Sequence, residues 1–384
     1  MPSLLMLLHP LFKLSYPTLI FHGDIKFQLI TTMATPSKAL FVNQNVQFEV
    51  IQKNELPRPG AGELLIKVLF SGANPADIKH STELGIANTT LGYDFCGEVI
   101  ETTNSDSPYK PRDIVAGYTP SGLGRPSRYG SHQAYLTCPE SMLFKVPDNL
   151  PQSDAACLTV VAMTAADALY NYLKFPLPGE AGEFEKNGPF LLWGGTGAVG
   201  YCALQFAVAS GISPIFVAAS PEKFEHLEFL GATKCFDYKA EDVYDSISTA
   251  LKELGYDDFT YAFDAAGAPN SGDQVLRCIS EKTIAASTLV RESKQFKFPI
   301  ATPNLDFTVQ LAGMPHPLTV PARPADYEKA WKALAWAVEN YGRAFRSVPV
   351  RLLDGTAEDA LEEIQRVVKV GGGFSKIAIQ QPMK

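Results

Sequence analysis

The sequence predicts an α/β protein: a β-rich amino-terminal half, then a doubly wound parallel sheet, then a short return segment. Three observations carry that expectation. Residues 189–287 alternate short apolar runs with amphipathic stretches, the pattern of repeated βαβ units with right-handed crossovers. Residues 38–135 instead show strand runs separated by Gly/Pro-rich turns. That alternating half opens on Pro189-Phe-Leu-Leu-Trp-Gly-Gly-Thr-Gly-Ala-Val-Gly200, an apolar run that leads into glycines at G-x-G-x-x-G spacing.

In the β-rich half, Lys38-Ala-Leu-Phe-Val42 reads as a first strand. Glu63 to Ser71 is a stronger one, launched by the turn-rich run Pro57 to Gly62. Gly92 to Glu101 and Asp113 to Tyr118 follow, with the polar Thr102 to Arg112 between them as a loop. Six alanines within 155–168 mark a helical connection over Pro151 to Tyr172, and Pro176 to Gly188 reads as a surface loop. In the parallel half, strands are expected at 190–193, 214–218, 234–238, 259–263 and 283–287. The helices between them start at Ala198, Glu222, Asp242 and Ser271. Arg291 to Pro324 has poor strand periodicity and several prolines. The chain then closes with a helix near 327–341, a strand near 348–353, a helix over 356–370 and a last strand over 376–379. Thr356 and Asp359 form a capping box, and Gly371-Gly-Gly373 stops that helix.

A chain of 384 residues suits two domains of ordinary size, and 46% hydrophobic residues supply a real core. The net charge of −8, from 33 basic against 41 acidic residues, argues against nucleic acid as a partner. Six scattered cysteines without a C-x-x-C pair read as reduced thiols, so the expected location is cytoplasmic. Residues 1–33 do not match the rest. The apolar Pro2 to Leu8 is cut by His9-Pro10, lacks a basic flank and is too short to cross a bilayer. The expectation is a disordered extension, with Met33 as a second start; a weak targeting segment is the alternative.

Each glycine of the loop has a task in a dinucleotide site. Gly195 is expected to make the tight turn, Gly197 to let backbone approach a pyrophosphate, and Gly200 to let helix and strand pack closely. Thr196, Ala198 and Val199 complete the cradle at a helix N-terminus, where unpaired N–H groups favour an anion. The second strand ends in Ala219-Ser-Pro-Glu-Lys223, with no acidic residue at its last position to repel a 2′-phosphate. Ser220 and Lys223 can instead hold that phosphate, which favours NADPH over NADH. Asp264 and Gly267, at the end of the fourth strand, are placed at the cofactor as well.

Gly72-Ala-Asn-Pro-Ala-Asp77, Gly92-Tyr-Asp-Phe-Cys-Gly97 and Gly194-Gly-Thr-Gly-Ala-Val-Gly200, in this order of domains, resemble the medium-chain dehydrogenase/reductase superfamily. The likeness runs from about residue 38 to the C-terminus. Within the superfamily the chain is similar to the zinc-independent quinone and enoyl reductases, and further to the fungal trans-acting enoyl reductases that serve polyketide synthases. Ala219-Ser-Pro-Glu-Lys223 and Phe236-Asp-Tyr238 are among the features of that branch. The resemblance implies a GroES-like catalytic domain over 34–164 and 320–384 and a Rossmann NADP-binding domain over 165–319. It implies Tyr238 beside the adenine, and no metal: Asn74 stands where zinc members have a cysteine, and Tyr93-Asp94 where they have His-Glu.

The expected activity is NADPH-dependent reduction of an α,β-unsaturated thioester carried on a polyketide synthase. The alternatives are a general quinone or enone reductase and, of another class, a non-catalytic, crystallin-like binding protein. Asn74, Lys79 and Thr164 are the candidate catalytic residues. Asn74 would orient ribose or substrate, Lys79 contact ribose or protonate an enolate, and Thr164, taken to start the connecting helix, bind nicotinamide or thioester oxygen. His80, His132, Trp331 and Trp336 read as structural. Arg343, Arg346 and Arg351 are a candidate patch for an acidic carrier, no membrane contact is expected, and the proline-broken 291–324 region favours a monomer.

Overall fold

The apolar run Glu63–Gly72 becomes a strand in the middle of a seven-stranded sheet. It pairs antiparallel with Asp94–Thr102 on one side and with Lys376–Gln380 on the other. The chain therefore returns at its end to the sheet it built first, which sets Lys376 beside the residues that follow Gly72. The computed structural model describes residues 35–180 and 188–384; the expectations for residues 1–33, and for most of the loop 176–188, lie outside them. A smaller sheet orders Phe48–Lys53, Ser37–Val42 and Thr89–Thr90. Leu40, Val42, Ile78, Ile364 and Ile377 close the core beneath it.

The second sheet has six parallel strands. Its order is Lys234–Asp237, Ile215–Ala219, Phe190–Trp193, Tyr261–Asp264, Ile284–Ser287 and Phe296–Lys297. In order of appearance that is 3-2-1-4-5-6, so the sequence direction reverses beside Phe190–Trp193, and a crevice opens at the carboxyl ends there. Phe190–Trp193 is buried on both faces, as a covered parallel strand must be. Phe190 and Leu192 pack with Tyr201, Leu204 and Phe206 of the helix Ala198–Ala209. Leu191 and Trp193 pack with Val243, Ile247 and Leu251 of the helix Val243–Glu253 on the opposite face.

Several elements differ from expectation. The first half is not all β: Ala76–Leu84 is a helix, closed by Gly85 at φ +71°. Its inward face is Asp77, Ile78 and Ser81, too polar to register as an amphipathic stripe. The segment 291–324 holds a sixth strand and the antiparallel pair Phe307–Val309 with Leu318–Val320. The connecting helix is Thr159–Ala166, continued by the wider π-helical turn Asp167–Tyr172. The helix Pro324–Glu339 lies between both halves: Trp331 meets Phe144 edge-on, and Trp336 packs on Phe206 and Phe345. The Thr356/Asp359 capping box is present in full.

Candidate functional site

The glycine loop shows which of its residues the protein itself requires. The left-handed turn falls on Gly194, at φ +90°, and not on Gly195, where the sequence placed it. A Cβ on Gly194 would lie 2.6 Å from the Ala266 backbone. One on Gly195 would lie 2.4 Å from Val217, and one on Gly200 2.3 Å from the Gly194 carbonyl oxygen. These three glycines let the strands and helix pack. Gly197 differs: a Cβ there would meet nothing nearer than the Gly194 oxygen at 3.5 Å and the Ala265 oxygen at 3.7 Å. It is the N-cap of the helix Ala198–Ala209, and no side chain caps that end. The open side of Gly197, with the uncapped N–H groups of Ala198, Val199 and Gly200 and the turn residue Thr196, fits a pyrophosphate.

Ser220 follows the strand Ile215–Ala219 and precedes a short turn, Pro221–Lys223. Glu222 is exposed, while the Lys223 ammonium sits 4.7 Å from the centre of the Phe374 ring. Tyr238 lies just past the strand Lys234–Asp237, half-buried beside Lys239. Asp264 is placed differently from the sequence reading. Its carboxylate is fully buried and accepts from Ser287 at 2.7 Å, from Arg291 at 2.6 Å and from the Ala266 N–H at 3.3 Å. It shapes the turn after the fourth strand instead of presenting an acceptor to a ligand. Gly267, in that turn, has φ +63°.

Asn74 and the helix of Thr164 are brought together through Asp94. The Asn74 amide donates to Asp94 Oδ2 at 2.9 Å, and the Val160 N–H donates to Asp94 Oδ1 at 2.9 Å. Lys376 Nζ donates to Asn74 Oδ1 and to the Ala73 carbonyl, both at 2.6 Å. Both ends of the Asn74 amide are thus taken by the protein, and the side chain is buried. Its role here is to be held and to hold, which corrects the expectation of a free orienting amide. Burial pushes the Asp94 carboxyl up to about 6, against the pull of Lys376, the Asn74 amide and the Val160 N–H.

Thr164 lies inside the helix Thr159–Ala166 and does not start it. Its hydroxyl donates to the Val160 carbonyl at 2.7 Å, which leaves its oxygen as an acceptor. It suits a partner that brings an N–H, such as a carboxamide, better than a thioester oxygen. Lys79 lies on the helix Ala76–Leu84 with its side chain 31% exposed and Glu83 at 4.0 Å. No hydrogen bond ties it to the Asn74–Asp94–Lys376 network.

The two histidines set aside by the sequence are built into the structure. His132 bridges Ser71 at 2.9 Å and Asp77 at 3.1 Å, and Asp77 in turn accepts the Asn74 N–H at 2.8 Å. His80 is 2.8 Å from the Tyr93 hydroxyl, and burial brings its imidazole down to about 4. The Arg125 guanidinium lies 4.5 Å over the Tyr93 ring. It donates to the carbonyls of Thr90, Gly92, Pro120 and Tyr129 and to the Thr119 hydroxyl. Among the described residues no three His, Cys, Asp or Glu side chains gather as a metal site would require. Of the three candidate carrier-patch arginines, Arg351 is paired with Glu363, whereas the guanidinium groups of Arg343 and Arg346 donate to the backbone carbonyls of Glu339 and Arg343. Lys376 and Phe374 escaped the sequence reading because neither belongs to a local motif.

A switch-point glycine loop on a 3-2-1-4-5-6 sheet, joined to a β-rich domain, defines a nicotinamide-dependent oxidoreductase. Residues 198–300 match the family model for zinc-binding dehydrogenases, and residues 60–148 that for the alcohol dehydrogenase GroES-like domain. The trans-enoyl reductase TOXD of Cochliobolus carbonum is 30% identical over 205 residues, 53% of this chain and 68% of that protein. The trans-enoyl reductase himH of Aspergillus japonicus is 31% identical over 213 residues, 54% of this chain and 60% of its own length. An alcohol dehydrogenase superfamily structure from Novosphingobium aromaticivorans shares the fold (TM-score 0.66, 21% identity, 90% of this chain and 99% of that one). So does a mycobacterial protein complexed with NADPH (TM-score 0.64, 19% identity, 90% and 100%). The chain belongs to the medium-chain dehydrogenase/reductase superfamily, and proteins named trans-enoyl reductases are among its homologues.

Proposed function

We propose that this protein is a zinc-independent, NADPH-dependent enoyl reductase that acts in trans on the unsaturated thioester of a carrier-bound polyketide chain. The observation that carries this reading is the Asn74–Asp94–Lys376 network. At the position where zinc members have a cysteine, Asn74 is locked by a carboxylate and an ammonium. Without a Lewis acid there, a carbon–carbon double bond already polarised by its thioester carbonyl is the better substrate.

A bound nicotinamide would supply a hydride for the β-carbon, and the resulting enolate would take a proton at the α-carbon. The chain's own residues bind and orient. The N-terminus of the helix Ala198–Ala209 would hold the pyrophosphate, Ser220 and Lys223 the 2′-phosphate, and Tyr238 would flank the adenine. The Thr164 oxygen, whose own proton goes to the Val160 carbonyl, would accept from the carboxamide of a bound nicotinamide and help orient it. Asp94 ties that helix to Asn74 by one hydrogen bond to each. Lys79, whose ammonium among the described residues has only a long contact to Glu83, would approach the enolate.

We further propose a monomer, since the edge strand Phe296–Lys297 is two residues long and followed soon by Pro299. Light scattering at micromolar concentration should give the mass of one chain; twice that mass contradicts this. The activity is tested by following reduced-nicotinamide absorbance with a 2-butenoyl thioester. Turnover with NADPH, slower with NADH, is expected. Turnover confined to quinones or alcohols would refute the enoyl reading.

A further inference from the structure

We propose that Phe374 sets selectivity for the 2′-phosphorylated cofactor, by fixing the Lys223 ammonium where that phosphate must lie. The proposal rests on the NADPH reading above and adds the residue through which Lys223 acts. Lys223 makes no ion pair among the described residues; its ammonium is 4.7 Å from the centroid of the Phe374 ring. A ring face attracts a cation without neutralising it, so the charge stays available to an anion while the long side chain is held in place.

The ring itself is held from two further sides. Tyr201 and His226 stack on each other, with centroids 5.8 Å apart, planes 6° from parallel, and the Tyr201 hydroxyl 2.8 Å from His226 Nε2. Phe374 meets each of them edge-on at 5.5 Å. Tyr201 stands on the helix whose N-terminus is the pyrophosphate seat, and His226 on the helix that follows Lys223. Phe374 arrives from the other domain, on the loop between the helix Ala357–Val370 and the strand Lys376–Gln380. Gly371 and Gly373 turn that loop with φ of +80° and +63°. Two residues beyond Phe374, Lys376 holds Asn74. One short segment therefore locks the Asn74 network and positions the phosphate-reading lysine.

Phe374 is a positioning residue, so its test must report on the phosphate and not on turnover. Binding of adenosine 2′,5′-bisphosphate and of 5′-AMP to the full chain is measured by calorimetry for wild type, Phe374→Leu, Phe374→Trp, Lys223→Met and the Phe374→Leu/Lys223→Met double variant. Wild type should bind the bisphosphate more tightly. Phe374→Leu keeps apolar bulk but loses the ring face; it should weaken the bisphosphate by about two- to fivefold, the range of an exposed cation–π contact, and leave 5′-AMP unchanged. Phe374→Trp should restore the preference. In the Lys223→Met background, Phe374→Leu should change nothing further. Unchanged 5′-AMP binding also reports that the variants are folded. Equal losses for both ligands, no loss for either, or a loss that persists without Lys223 would overturn the proposal and leave the NADPH reading standing. A wild type with no preference for the bisphosphate would overturn the NADPH reading, and the proposal with it.

Discussion

Replacing Gly197 with valine should strongly weaken cofactor binding while leaving the fold in place, and the structure gives the scale of both effects. A Cβ at Gly197 meets only two backbone oxygens, at 3.5 and 3.7 Å, which is ordinary contact. The local backbone, φ −68° and ψ 148°, is extended and suits a β-branched residue. The remaining cost is a poorer N-cap, about 1 kcal/mol, or a fall in Tm of no more than about 4 °C. Gly200→Ala is the control from the same loop. Its Cβ would lie 2.3 Å from the Gly194 oxygen and 3.0 Å from the Gly194 carbonyl carbon, so backbone must shift, at about 1–3 kcal/mol or more. Thermal melts of the free proteins and fluorescence titrations with NADPH separate the two effects. Gly197→Val should melt close to wild type and lose at least about 30-fold in affinity, roughly 2 kcal/mol; Gly200→Ala should lose stability first. If Gly197→Val binds NADPH within about threefold of wild type, the helix N-terminus is not the pyrophosphate seat. If it melts as low as Gly200→Ala, the opening beside Gly197 is filled by protein and the reasoning from space fails.

Asp94 and His80 should oppose each other in the pH dependence of stability. The Asp94 pKa is raised to about 6 from 3.8, so its contribution is present at low pH and is lost as pH rises through 6; that of His80 is lowered to about 4 from 6.5, so its contribution is lost as pH falls through the same window. Denaturant melts between pH 4 and 6.5 should show stability rising with pH in Asp94→Asn and falling with pH in His80→Gln; parallel curves would contradict both assignments. Lys376→Met removes the donor to Asn74 and Ala73 and the charge near Asp94, and should cost about 3 kcal/mol at pH 8 and less at pH 5, where Asp94 is protonated; equal losses at both pH values would exclude the coupling. Thr164→Val keeps the shape and loses the acceptor, so kcat should fall about tenfold with NADPH affinity nearly unchanged, and Thr164→Ser should recover it; a loss confined to KM would place Thr164 on the substrate.

What the sequence discloses and what it hides divide along the range of the interactions. The strand Phe190–Trp193, the glycine turn and the helix Ala198–Ala209 are contiguous, and their apolar period and turn residues state the local structure outright. The Thr356/Asp359 cap is legible for the same reason. The helix Ala76–Leu84 is not, because its buried face is made of Asp77 and Ser81 as well as Ile78, and their partners come from other segments. Even within the glycine loop, the assignment of the turn to Gly195 instead of Gly194 shows that spacing gives the motif before it gives each residue's geometry. The site depends most on pairs far apart in the chain. Lys376 reaches Asn74 across 302 residues, and Phe374 meets Lys223 from the opposite domain. Asp94 opens the strand Asp94–Thr102 just ahead of the apolar Phe95 and Cys96, yet only the fold shows that it joins Asn74 to the helix of Thr164. Asp264 shows the converse: its position at a strand end suggests a ligand contact, and Arg291 and Ser287 take up the carboxylate instead.

The most direct test is the destination of the transferred hydride. The protein is given NADPH deuterated at C4 and a 2-butenoyl thioester, and the product is read by mass spectrometry and NMR. Deuterium on the β-carbon, with a solvent proton on the α-carbon and the thioester intact, is the predicted result. Deuterium on the carbonyl carbon, in an aldehyde or alcohol product, would contradict the account.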